Sequence, residues 1–284
     1  MPVVIPPPLS EHESIPRNNA MPATTTTQDH DVVRAKTLRG LLLARELDGA
    51  RRARGFTTRA LAAAISMSPA MVNRVMTGRR VPTALEVGGL CALLDVPAGR
   101  RPTLYEWART AELTEWIIRP GGGKNPLRDI EGLADEITWF EPGLIPGPLR
   151  TAEYDRAVEH ATGANPHSDP AVRAAALRNS RFLIHPRALG NPGLPERDHR
   201  AQLLHLFRDH LPGIRLFPDT VVTWPGCRVL DVAHFPPVVH LTHHDTDIVL
   251  ENQGRAAHLR QLEGMALSAG ETREALLRQI QACR

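Results

Sequence analysis

Apolar residues recur at helical spacing through residues 34–118 and gather into shorter, strand-like runs further on. Leu43, Leu47 and Ala50 fall at i, i+4 and i+7 on one helical face, while Arg45, Arg51, Arg52 and Arg54 lie mostly off it. Gly55 ends that helix, and Thr57 offers a hydroxyl to cap a second, short one whose Leu61, Ala62 and Ile65 share a face. The small Ala62, Ala63 and Ala64 let another helix approach closely. Ser66-Met67-Ser68 leads to a third helix, with Ser68 as N-cap and Pro69 at the first helical position. Val72 and Val75 point inward there, leaving Ala70, Met71, Asn73 and Arg74 on other faces, and Gly78 stops it. Thr83 then caps a fourth helix that places Val87, Leu90, Cys91 and Leu94 at i, i+3, i+4 and i+7.

A glycine run at 121–123 followed by Asn125-Pro126 marks a junction. Beyond it, the stretch from Ala134 reads as a helix with Ile137 and Phe140 on its apolar face, ended by Pro142-Gly143. A rigid Leu-Ile-Pro-Gly turn follows, and then a helix capped by Thr151. Strands are predicted from the runs Ile214–Phe217, Arg228–Ala233 and Val238–Leu241, and one long amphipathic helix near 255–282 closes the chain. The fold class predicted is a mainly α N-terminal helix-turn-helix bundle plus an α+β C-terminal domain. The boundaries are a disordered leader at 1–33, a helical domain at 34–118, a linker at 119–126 and the C-terminal domain at 127–284.

Charge changes this picture. The formal net charge is only +3, but from Arg34 to Pro82 eleven Lys or Arg stand against Glu46 and Asp48, so that segment is +9 and the remainder −6. A local excess of this kind is a nucleic-acid footprint. Aromatic residues make up only 4% of the chain, too few to grip single strands by stacking, so the expected partner is double-stranded DNA. No run approaches 18 apolar residues, which excludes a membrane-spanning helix, and the amino terminus lacks the basic start and apolar block of a secretory signal. Cys91, Cys227 and Cys283 lie far apart with no paired spacing, fitting a reducing cytoplasm and neither a disulfide scaffold nor a cysteine zinc site.

Two short helices joined by a tight turn and braced on either side are the layout of a helix-turn-helix, whose second helix, here about 69–77, enters the major groove. The run from Gly55 to Thr83 resembles the phage-repressor-type (Xre-like) family. Ala62 and the Val72–Val75 pair match its core positions; Asn73-Arg74 and Gly78-Arg79-Arg80-Val81-Pro82-Thr83 match the end of its recognition helix and the loop after it. Many relatives carry Gln at the starts of helices two and three, where this chain has Thr58 and Pro69. Base readout then falls to Asn73 and Arg74, with Ala70 or Met71 against thymine methyls. Thr57, Arg59, Arg79 and Arg80 are the candidates for phosphate contacts, and Ser68 completes the DNA-facing set.

The segment Pro142-Gly-Leu-Ile-Pro-Gly147 and the residues Thr151, Glu153 and Tyr154 are similar to the domain of unassigned function that follows the helix-turn-helix in many actinobacterial regulators. Pro148 and Arg150 stand where Leu and Gln are common there. The resemblance implies an antitoxin-like regulatory domain that holds a small partner protein; the expected function is a transcriptional regulator that responds through this domain to a small-molecule effector or partner protein and, by that function, acts as a homodimer.

Two other classes stay open. Thr58 and Pro69 allow a protein-interaction module with little specific DNA reading. Eleven of the thirteen His fall between 160 and 258, including His240, His243 and His244 beside Asp245 and Asp247, which allows a metal protein or enzyme on a regulator scaffold. The His-x-x-His-His-Asp-x-Asp spacing matches no metal signature, and a solvated hairpin tip is the expectation. No nucleophile elbow, phosphate loop or dinucleotide fingerprint occurs, and Cys227 reads as a strand or turn thiol. No catalytic residue, metal ligand or cofactor is therefore expected.

Overall fold

The computed structural model describes residues 35–119, 126–162, 174, 176–190, 193–221, 226–243, 246–251 and 253–283. The expected leader at 1–33 and the linker residues 120–125 lie outside them. Helix α1 (Leu38–Ala53) begins where the Thr37 hydroxyl accepts the Gly40 N–H, and it buries Leu38, Leu41, Leu42, Leu43 and Leu47. Helices α2 (Thr58–Ala64), α3 (Pro69–Met76), α4 (Ala84–Leu93) and α5 (Arg101–Arg109) follow. Thr57, Ser68 and Thr83 cap α2, α3 and α4, accepting the N–H groups of Ala60, Met71 and Glu86. Leu61, Val72, Val75, Val87 and Leu90 are buried between these helices.

The bundle is followed by a domain with a mixed seven-stranded sheet, counted among the described residues: β1 (Glu115–Ile118), β2 (Ala134–Glu141), β3 (Ser180–Ile184), β4 (Ile214–Leu216), β5 (Cys227–Val232), β6 (Val238–His243) and β7 (Thr246–Leu250). Their order is β1-β7-β6-β5-β2-β3-β4, with β2/β3 and β3/β4 parallel and the other pairs antiparallel. The helices are α6 (Leu127–Glu131), α7 (Ala152–Thr162), α8 (Glu196–His205), α9 (Gln253–Glu263) and α10 (Ala269–Ala282). Ile137, Trp139, Phe182, Leu230 and Val249 share one core with α8, α10 and the leucines of α1. Phe140, Leu183, Val229 and Val239 form a second core under Ala256 and Leu259 of α9. Among the described residues no helix is long and apolar enough to cross a membrane.

Three expectations are corrected. Residues 134–141 are the strand β2, not a helix: Ile137, Thr138, Trp139 and Phe140 are all buried because both faces of this interior strand are covered. A strand packed on both sides shows no polar alternation, so its period is unreadable. Glu115–Ile118, placed at the end of the helical segment 34–118, is the edge strand β1 and pairs with β7. The closing helix is two helices: the chain breaks after Glu263, the Leu267 N–H donates to the Leu216 carbonyl at 2.8 Å, and Ser268 with Glu271 forms a new capping box.

Candidate nucleic-acid interface

Helix α2 closes with the Met67 N–H donating to the Ala62 carbonyl at 3.0 Å, and Ser66 takes φ +55° to turn the chain into α3. Val72, Val75 and Met76 anchor α3 from below. This orientation leaves Pro69, Ala70 and Met71 exposed at its amino-terminal end and Arg74 exposed in its last turn, with Asn73 half-buried. Thr57, Arg59 and Ser68 are exposed beside it, and Thr58 is half-buried. Of the sequence-derived set, Thr57, Arg59, Ser68, Pro69, Ala70, Met71, Arg74 and Arg79 are exposed, and Thr58, Asn73 and Arg80 are half-buried. The guanidinium groups of Arg59, Arg74 and Arg79 make no ion pair with other described residues, which leaves them available to an anionic partner.

Arg80 is different from its neighbour Arg79. It is half-buried, and its Nη2 donates to Glu86 Oε1 at 2.9 Å. Glu86 Oε2 accepts the Thr83 N–H at 2.8 Å, so Arg80 braces the capping box of α4. Burial opposes ionisation of Glu86, but the hydrogen bonds from Arg80 and Thr83 outweigh it and hold the carboxyl below its ordinary value. The loop that presents Arg79 depends on Gly78 at φ +70°, where an added Cβ would come within 2.8 Å of the Ala35 Cβ.

Sequence reasoning missed the joint between this unit and the sheet. The buried Arg39 of α1 donates from Nη1 and Nη2 to the carbonyls of Leu113 and Glu115, the second at 3.0 Å. Glu251, just past β7, faces Arg39 and Trp116; burial pushes its carboxyl up to about 7, opposed by the Leu38 N–H, Arg39 and Trp116. A second tie is Arg100, which reaches Glu46 on α1 at 2.9 Å and Asp129 on α6 at 2.9 Å. No periodicity links residues this far apart in sequence.

In the second domain the Leu-Ile-Pro-Gly turn is held from inside. The Ile145 N–H donates to the buried Tyr154 Oη at 3.3 Å, and Arg150 Nε donates to the Ile145 carbonyl. Gln202 of α8 donates to the Leu149 carbonyl at 2.9 Å and accepts the Thr151 N–H at 2.6 Å. Arg150 therefore does a structural task here and pairs with Asp155. At the end of β2, burial pushes the Glu141 carboxyl up to about 7 against Arg228 and Arg150. The Cys227 thiol, buried at the start of β5, is pushed up to about 12 by burial and by Glu141, far from the thiolate that nucleophilic or metal chemistry needs.

The histidine cluster is not a solvated hairpin tip at His240. That residue is 1% exposed in β6, and its Nε2 lies 2.8 Å from Asp247 Oδ1. His244, Asp245 and the His243 side chain lie outside the described residues. Among the described residues no group of three or more His, Cys, Asp or Glu converges to hold an ion.

Comparison with known families agrees with this division. A helix-turn-helix domain model matches residues 42–104, pointing to a DNA-binding regulator, and a domain of unknown function (DUF5753) matches residues 125–278. No curated protein and no solved structure matches the chain. The second match spans more than half of the sequence, so the chain belongs to the DUF5753 family, carried here behind a helix-turn-helix domain.

Proposed function

We propose that the protein is a sequence-specific transcriptional regulator that lays α3 in the major groove of duplex DNA. The observation that carries this reading is the outer side of α3: Ala70 and Met71 are exposed at the amino-terminal end and Arg74 in the last turn of a helix anchored by Val72 and Val75, with Arg59 and Arg79 exposed as well. Asn73 and Arg74 supply amide and guanidinium donors to base edges, and the methyl and thioether of Ala70 and Met71 suit thymine methyls. Arg59, Arg79 and Thr57 hold the backbone phosphates and set the register.

The regulator acts in the cytoplasm as a homodimer, with two copies of α3 about one helical turn apart on a two-fold operator. Residues 125–284, as an antitoxin-like domain, take a small-molecule effector or a small partner protein, and regulation requires that ligand to bind the two DNA-competent spacings unequally. The protein is not an enzyme in this reading.

Titrating promoter-region DNA of neighbouring genes at a series of salt concentrations tests the proposal. A specific complex at moderate salt, lost in Arg74→Ala plus Arg79→Ala, is the expected result. Absence of any specific complex would overturn it. The second reading, a protein-interaction module, draws on Pro69, which brings no amide to the start of α3. Co-purification of a small partner without sequence-specific DNA binding would favour it.

A further inference from the structure

Helix α8 does not simply stop at His205. The chain continues through a π-helical turn, Leu206–His210, before Pro212. Hydrogen bonding in such a turn runs from residue i to i+5, which brings positions 205 and 210 together on one side. The Nε2 atoms of His205 and His210 lie 3.1 Å apart, with ring centroids 4.6 Å apart and planes at 84°. On the far side of the first ring, His205 Nδ1 is 2.7 Å from Asp209 Oδ2. Both rings are half-buried and so remain reachable from solvent.

The contact has hydrogen-bond geometry, with the two rings edge to face. Joined head-on by an N–H···N hydrogen bond of this length, the ring centroids would stand about 5.4 Å apart. The observed 4.6 Å is shorter than that, so the two rings meet in a bent, edge-to-face contact rather than head-on. Two imidazoles on one ion with N–metal bonds of about 2.1 Å place their nitrogens about 3.4 Å apart at the tetrahedral angle and closer as that angle narrows. We propose that His205 and His210 form a two-imidazole site for a late first-row divalent cation of the Zn²⁺ class. Asp209 fixes the first ring by accepting its Nδ1–H, which leaves Nε2 as the ligating atom. No third His, Cys, Asp or Glu joins the pair among the described residues, so water or a donor from outside completes the coordination. That makes the site exchangeable rather than structural, and N-rich coordination selects Zn²⁺, Ni²⁺ or Cu²⁺ over Mg²⁺.

Isothermal titration of the full chain with zinc chloride at neutral pH, repeated with magnesium chloride, tests this. One equivalent of Zn²⁺ and no Mg²⁺ is expected. His205→Gln and His210→Gln each abolish that equivalent while melting as cooperatively as the parent; with two independent variants, one that fails to fold leaves the other as the test. Asp209→Asn keeps the stoichiometry and weakens binding by roughly tenfold or more. His243→Ala plus His244→Ala leaves the equivalent in place. Absence of stoichiometric Zn²⁺, its survival in the folded His variants, or its loss in the 243/244 variant would each overturn the site.

Discussion

The guanidinium carbon of Arg39, on the first helix of the DNA-binding unit, lies 4.1 Å from the centre of the Trp116 ring, on the edge strand of the sheet. The same guanidinium donates to the Leu113 and Glu115 carbonyls, so α1 and β1 share one buried cation. A rearrangement at the β1–β7 edge therefore reaches α1, whose leucines share a core with Val72 and Val75 of α3.

Removing that joint exposes its cost. Arg39→Ala leaves two carbonyls and Glu251 without their cation, and is expected to destabilise the fold by about 2–4 kcal/mol. Arg39→Lys recovers only part of this, because a single ammonium cannot serve both carbonyls and lie flat on the indole. Thermal melting of the three proteins checks it; equal stability of parent and Arg39→Ala contradicts the joint.

Arg79 and Arg80 are neighbours with opposite expected phenotypes. Arg79→Ala lowers the slope of log binding constant against log salt by about 1 and leaves the melting temperature unchanged. Arg80→Ala lowers the melting temperature, because Glu86 loses its partner at the α4 cap. Fluorescence anisotropy on duplex DNA, paired with melting curves, separates the two. The reverse pattern would exchange their roles.

Gly78→Ala tests the loop that carries Arg79. The left-handed φ and the contact with Ala35 both penalise a side chain, and a loss of about 1–3 kcal/mol is expected. Chemical denaturation measures it. A neutral substitution would show that the loop can take another path.

The Glu141 carboxyl gives a pH signature. Its folded value of about 7 stands above the ordinary 4.5, so the stability it lends is complete below 4.5 and is lost as pH rises through 7. Glu141→Gln is expected to match the parent near pH 4.5 and exceed it at pH 8, on the order of 1–2 kcal/mol after solvent screening. Urea denaturation at the two pH values checks this; a gain that does not grow with pH contradicts it.

The helix-turn-helix was legible because its signals are local. Thr57, Ser68, Pro69 and Thr83 announce helix starts within a few residues of the apolar positions they serve, and every cap is where the sequence puts it. Strand β2 was hidden because burial on both faces erased its alternation, leaving Ile137 and Phe140 three apart as if on a helix. The break after Glu263 was hidden because tertiary bonding overrides a continuous amphipathic pattern there, through the Leu267 N–H on the Leu216 carbonyl. For the interface, exposure of Arg74 and Arg79 followed from spacing, whereas the diversion of Arg80 to Glu86 depends on a rotamer that no motif records. The Arg39–Trp116 contact joins residues with no pattern in common.

The central claim is that α3 reads duplex sequence. Purified protein is incubated with a pool of random duplexes at moderate salt, and the bound fraction is amplified and sequenced through several rounds, beside the Arg74→Ala plus Arg79→Ala variant. Enrichment of one two-fold symmetric motif by the parent, and none by the variant, is the predicted result. A pool that stays random with the parent, or the same motif enriched by both proteins, would contradict it.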